Sequence, residues 1–375
     1  MPDDEYDLLI RSDRVFCAES GFDGPGAVAV RGDRIVASGP NVTGPARETR
    51  SYADALLLPG LVDLHAHPDR DSSRYGVDPD LHFLTRGVTT VMSQGDAGAN
   101  NWSRYRDNVI HGSTTRVRLA ISLSAVGETN ANHCLERPED LDANACATTA
   151  LEGGDLIWGI AVNSSEASCG NFDPREVLAQ GLEAAEQSKR PLLFGSRLAT
   201  DVSLAEQLSL LRQGDVLTYC YNAKDESLIE NGKIRDCVRD ARDCGVLFDI
   251  GHGMNSFSFK TAEIAIAEGF LPDTISTDQY RRHVDSDPQH DLPRTFSKLI
   301  AAGMTESDAF TRVTKHPAEI LGLRGEVGTL TPGSCADLSV LQWNNDAAPL
   351  VDVEGQTRPG GCYEPITTIR AGRII

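Results

Sequence analysis

The chain has 375 residues, 40% of them hydrophobic and 24% charged, which is enough apolar content for a large core in one barrel-sized domain with an appendage. Thirty-five basic residues against 55 acidic ones give a formal net charge of −20, which argues against nucleic acid or an anionic membrane as a partner. No apolar run is long enough to span a bilayer, and the acidic start Met1-Pro2-Asp3-Asp4-Glu5 carries no secretory signal. With nine scattered cysteines and no CxxC pair, the expectation is a reduced, cytoplasmic protein.

In chain order, short strand-like pieces come first: Asp7–Ile10, Gly26–Val30 and Arg34–Gly39, separated by turn residues. Leu57-Leu58-Pro59-Gly60-Leu61-Val62-Asp63-Leu64-His65-Ala66-His67 follows, an apolar run with a Pro-Gly turn inside it. Such a run reads as a strand buried on both faces, as in a parallel sheet. Alternation along the strand places His65 and His67 on one side. Two imidazoles converging at a strand's end suit a divalent metal such as zinc; the bland alternative is two packing histidines.

Seven further apolar runs succeed it: Val88–Gln94, Val117–Leu123, Leu156–Val162, Pro191–Gly195, Val216–Tyr221, Val246–Ile250 and Thr274–Asp278. Helical stripes fill several gaps, at Pro174–Lys189, Ser203–Arg212 and Thr261–Glu268, and Asp173-Pro174 reads as a capped helix start. Eight strands alternating with helices predict an α/β chain folded as a (β/α)8 barrel, whose active site lies at the C-terminal strand ends. His65, His67, His252 and Asp278 all fall at such ends. The last strand-like pieces are Ala336–Leu341 and Ile366–Arg373.

The His-x-His stretch resembles the opening of the amidohydrolase superfamily. Gly251–Phe259, Leu271–Asp278, Asp291–Leu299 and Val313–Ala318 are similar to its dihydroorotase-like or deacetylase-like subgroup. The resemblance implies a barrel over residues 57–324 and a small β-sandwich built from 1–56 and 325–375. It implies hydrolysis of an amide or ester bond in a small molecule: an N-acyl amino acid, an acetylated hydroxy acid or a cyclic amide. It also adds a homo-oligomer. Within it, Asp278 binds the metal or its water and shuttles the proton to the leaving group.

The chain departs from the family's two-metal pattern. Ala161 stands where the resemblance expects a carboxylated lysine, Leu193–Arg197 has no histidine, and Tyr219 occupies another histidine's place. Three readings follow. One divalent ion, zinc by preference, is held by His65, His67 and Asp278, with Asp278 as acid/base and His252 as a substrate contact, proton donor or fourth ligand. Alternatively the site is metal-free, with Arg197, Tyr219, Tyr221 and Arg281 lining a small-molecule pocket. In the third, the chain is a catalytically degenerate relative acting as a binding or structural protein. Asp96, Cys220 and the loop Asn130–His133 are weaker candidates, while His82, His111, His283, His290 and His316 read as surface or packing residues.

Overall fold

The computed structural model describes residues 5–129 and 133–375. The buried apolar runs become a parallel sheet of seven strands: β5 (Leu61–Ala66), β6 (Val88–Gln94), β7 (Arg116–Ser122), β8 (Ile157–Asn163), β9 (Leu192–Gly195), β10 (Val216–Thr218) and β13 (Leu247–Phe248). The sheet closes through an eighth segment, Thr274–Gln279. Parallel bridges join Asp249 to Thr274 on one side and Ala66 to Gln279 on the other. The closing hydrogen bonds run from His252 N to Ser276 O (3.1 Å) and from Asp278 N to His65 O (2.7 Å). Side chains from six strands, including Val62, Leu64, Met92, Ala120, Ala161, Leu193 and Val216, form one buried cluster. Residues from so many strands meet only inside a closed sheet, as in the packed interior of an eight-stranded barrel.

The terminal segments build a second sheet. Its strands are β1 (Tyr6–Cys17), β2 (Phe22–Arg31), β3 (Arg34–Gly39), β4 (Ala46–Pro59), β14 (Leu338–Asn344), β17 (Cys362–Arg370) and β18 (Arg373–Ile374), in the order β18-β17-β14-β4-β1-β2-β3. The two chain ends meet where β4 pairs with β14, Leu57 opposite Val340. Leu8, Ile10, Val28, Val30, Leu57, Leu338 and Val340 share one buried cluster of this sheet. Two small hairpins complete the strands: β11 (Ile229–Glu230) with β12 (Lys233–Ile234), and β15 (Leu350–Val351) with β16 (Thr357–Arg358).

The helices form where stripe and cap agree. Pro174–Ser188 starts at Asp173, whose carboxylate accepts from Arg175 N, and buries Val177, Leu178, Gly181, Ala184 and Ala185 on one face. Leu204–Leu210 is capped by Ser203, and Phe259–Ala267 covers the third predicted stripe. No helix among the described residues is long and apolar enough to cross a membrane.

The strand runs read from sequence are cut short in two places that matter for the site. After Val216–Thr218 the chain enters the left-handed region at Tyr219 (φ +64°), and the eighth segment does so at Asp278 (φ +46°). Non-glycine residues rarely adopt that conformation. Here it breaks the strand alternation and turns both side chains into the barrel mouth, while Asp278 N still donates to His65 O and Cys220 N to Asp249 O.

Candidate active site

His65, His67 and Asp278 come together at the C-terminal end of the barrel, all buried. Asp278 Oδ1 lies 3.4 Å from His65 Nε2 and 3.3 Å from His67 Nε2. The pairing of β5 with β6 shifts register between Asp63 and Ala66, a bulge of the kind that re-aims side chains at barrel rims. Below it, buried Asp63 ties the first strand to the eighth: it accepts from Thr277 N (3.1 Å) and Thr277 Oγ1 (2.6 Å). Burial raises the Asp63 carboxyl to about 7, against those hydrogen bonds.

The other nitrogen of each imidazole is occupied. Thr218 Oγ1 donates to Asp249 Oδ2 at 2.8 Å, so it can only accept from His65 Nδ1, also at 2.8 Å. His67 Nδ1 donates to Asp96 Oδ1 at 2.9 Å, and Ser93 Oγ steadies the second oxygen of Asp96 at 2.7 Å. With both protons committed to Nδ1, both Nε2 atoms present lone pairs to Asp278. Three acceptors face one another with no hydrogen among them, an arrangement that calls for a cation between them. A proton on His67 is the other way to meet that demand. Burial lowers the basicity of His67, yet the carboxylates of Asp96, Asp278 and Glu128 outweigh it and raise its pKa well above the ordinary imidazole value. The donor set, two imidazoles and a carboxylate with the far nitrogens held by hydroxyl and carboxylate, fits a divalent metal such as zinc.

Above these residues opens a cavity of about 230 Å³, lined among others by His67, Glu128, Asn163, Tyr219, Asp278 and Tyr280. Tyr219 Oη lies 3.5 Å from His65 Nε2 and accepts from Asn163 Nδ2 at 3.4 Å. Burial, and then the charge of Asp278, raises the phenol well above its usual value and keeps it protonated. Glu128 was not singled out in the sequence. Its Oε2 lies 3.6 Å from His67 Nδ1, and burial raises its carboxyl to about 7. Only its place after the third strand, in Ala125-Val126-Gly127-Glu128, offered a signal.

Other sequence candidates sit elsewhere. His252 is buried, but its Nδ1 donates to Gly253 O (2.7 Å) and its Nε2 accepts from Lys298 Nζ (2.9 Å), so neither nitrogen is free for substrate or metal. Arg197 turns away from the cavity, which its neighbours Ser196 and Leu198 line instead, and pairs with Asp201 at 2.8 Å. Tyr221 is fully buried and donates to Phe270 O at 2.6 Å. Arg281 donates to Arg70 O at 2.9 Å, and Cys220 packs in the core on the opposite face from Tyr219. In the loop after the third strand, residues 130–132 lie outside the described residues, and His133 pairs with Glu136 at 2.8 Å. Two histidines read as packing residues, His283 and His290, stack 4.2 Å apart behind the eighth segment.

The glycines of Gly251-His252-Gly253 answer to the same geometry. A Cβ on Gly251 (φ +48°) would meet Thr218 Oγ1 at 2.2 Å, and one on Gly253 (φ +48°) would meet Asp278 Oδ2 at 2.4 Å. The backbone must therefore approach His65 and Asp278 bare.

No family model matches the chain. It is 31% identical over 376 residues to a deacetylase of Enterococcus faecalis, covering 99% of each chain. A deacetylase of Agrobacterium fabrum is 32% identical over 345 residues, with 90% of this chain and 84% of that protein covered. A solved structure described as an adenine deaminase superposes with a TM-score of 0.89 at 31% identity, covering 99% of both chains.

Proposed function

The chain belongs to the amidohydrolase superfamily, as a hydrolase of carbon–nitrogen bonds with dihydroorotase-like and deacetylase-like relatives, and from that premise we propose a one-metal site of His65, His67 and Asp278. The observation that carries it is the convergence of two imidazole Nε2 atoms on one carboxylate oxygen, at 3.4 and 3.3 Å. A divalent ion bound there, zinc by preference, supplies a lowered pKa for water and polarisation of the scissile carbonyl. Asp278 takes the proton of the attacking water and returns it to the leaving nitrogen or oxygen. Tyr219, protonated and turned into the same cavity, donates its hydroxyl to the carbonyl oxygen as charge develops there. Asp96 and Thr218 orient the two imidazoles, and a bound cation would draw the Glu128 carboxyl beside His67, raised to about 7 by burial, into its charged form.

The second-metal ligands stay absent in this reading. Ala161 is buried in the barrel cluster and Tyr219 fills the position of a strand-end histidine. The substrate is a small molecule bearing an acyl amide or ester, drawn from N-acyl amino acids, acetylated hydroxy acids and cyclic amides. Hydroxyl and amide groups line the cavity, among them Asn163, Ser165, Ser196 and Asn255, with no lysine or arginine among the described lining residues. That lining favours an uncharged member of the set. The nine cysteines are all unpaired, which supports placing the protein in the reducing cytoplasm.

Metal analysis of the purified protein beside a His65→Ala, His67→Ala double variant tests the site. The expected result is about one divalent ion per chain, absent from the variant. No ion in the parent protein after incubation with zinc, or an ion unaffected by the double substitution, would overturn the reading.

A further inference from the structure

Behind the eighth segment, on the helix Leu292–Ala301, Arg294 and Lys298 lie one turn apart, and both are buried. Like charges at this spacing repel each other, and buried ones need a partner. Neither makes an ion pair with any described residue. Arg294 Nη2 donates to Ala348 O (2.9 Å) and Pro349 O (2.8 Å), while Lys298 Nζ meets only the neutral His252 Nε2 at 2.9 Å. The nearby carboxylates are engaged elsewhere. Asp291 pairs with Arg86 and caps the helix at Arg294 N. Asp352 accepts from the amides of Phe259, Glu354 and Gln356.

Both cations line one cavity of about 150 Å³ together with His290, Pro288 and Val351. Pro288 and Val351 are exposed, so the cavity is reached from solvent. In a chain of net charge −20, an unpaired guanidinium and ammonium sharing a solvent-accessible hollow are complementary to a small anion with several acceptor oxygens. We propose that this cavity binds one small oxyanion, of the phosphate or short-carboxylate class, between Arg294 and Lys298. The site is separate from the His65–His67–Asp278 cluster and stands without it. His290 connects the two, since its Nε2 donates to Thr277 O at 2.9 Å, one residue before Asp278.

The test is calorimetric titration and thermal unfolding with sodium phosphate and, separately, sodium acetate, at constant ionic strength set by chloride. Saturable one-to-one binding of either anion with a rise in Tm is expected, and which anion saturates at lower concentration assigns the class. Phosphate also binds divalent metals, so the titration is repeated on the His65→Ala, His67→Ala variant, where the response persists. Arg294→Gln should weaken binding at least tenfold. Because that change removes two hydrogen bonds to the 348–349 backbone, Val351→Glu provides an independent arm. It supplies a carboxylate at the cavity rim, so the anion response is lost while Tm in chloride is unchanged or higher. Absence of saturable binding of both anions, loss of binding in the double-histidine variant, or an undiminished response in Val351→Glu overturns the proposal.

Discussion

On one side of the eighth segment, two buried imidazole nitrogens and a carboxylate oxygen converge; on the other, two buried cations share a hollow without an ion pair to any described residue. The two sites are linked through one strand end: Asp63 and His290 hold Thr277, and Asp278 follows. Their incompleteness has opposite sign, and that difference identifies the missing group in each. Imidazole nitrogens facing a carboxylate call for a metal ion or a proton; a guanidinium and an ammonium with which no carboxylate pairs favour an anion. Burial makes both demands strong, because an uncompensated buried charge costs several kcal/mol that neighbouring side chains would otherwise offset. Elsewhere in the molecule the buried carboxylates are satisfied, as Asp215 is by Arg212 and Asp337 by Arg116 and Arg370.

The largest expected effect falls on the acceptor cluster. Asp278→Asn keeps the shape of the side chain but removes its charge and its capacity to carry a proton. We expect kcat/KM on an N-acetyl amide to fall by roughly 10²–10⁴-fold, the range for loss of a general acid/base. Phosphate binding at Arg294 and Lys298 should be untouched. If the substitution left the rate within a few-fold, Asp278 would be a ligand only, and the proton would have to pass through Glu128 or Tyr219.

Next in size is Gly253→Ala, which probes the close approach that shapes the cluster. A left-handed conformation costs a residue with a Cβ about 1–2 kcal/mol, and the new methyl would collide with Asp278 Oδ2 at 2.4 Å. Metal titration should show an affinity at least about tenfold weaker in a protein that still folds. Unchanged affinity would mean that Asp278 can shift without loss, and the cluster is looser than its distances imply.

A smaller effect, readable through pH, belongs to the cationic side. Burial, and then the charge of Arg294, pushes Lys298 down to about 7; Asp352, Cys362 and Asp291 act in the opposite direction, and His252 accepts its hydrogen bond. Unfolded, the lysine keeps its ordinary, higher value. Between the two values the unfolded chain holds a proton that the folded protein lacks, so this group's contribution is full above the unfolded value and lost as pH falls through about 7. Tm in chloride should therefore rise more steeply from pH 7 upward in the parent protein than in Lys298→Met. A bound anion raises the folded value, so phosphate should flatten the rise. Equal slopes in the two proteins would remove Lys298 from the comparison.

Much of this was legible from residue order, and the reason differs by region. Parallel strands buried on both faces read as unbroken apolar runs, so Val88–Gln94 appears at the residues where it was read. The His-x-His pair and Asp278 could be placed because each ends such a run. What resisted reading depends on geometry off the ladder. The strand after Val216 was read through Tyr221 but stops at Thr218, because a left-handed turn at Tyr219 leaves no mark in composition. Glu128 sits in a loop, where no periodicity points a side chain anywhere. In Gly251-His252-Gly253 the histidine drew attention, yet the flanking glycines are what the site requires. Nothing in the sequence marks Arg294 and Lys298, since exposure is the rule for such side chains and only the fold reveals their burial.

The smallest effect is expected at Arg197, which was a pocket candidate in the sequence and is an ion-pair partner in the structure. Nε and Nη2 reach Asp201 at 3.1 and 2.8 Å, and the Asp201 side chain is half exposed. Pairs with one exposed partner contribute about 0–1 kcal/mol, so Arg197→Ala should lower Tm by no more than about 2 °C. Metal content should stay the same, and kcat/KM should remain within about threefold, since the change lies outside the cavity. A tenfold loss of kcat/KM with the metal retained would show that Arg197 swings inward to meet the substrate. The catalytic cavity would then carry a cation of its own, and an anionic substrate would displace the uncharged one its lining favours.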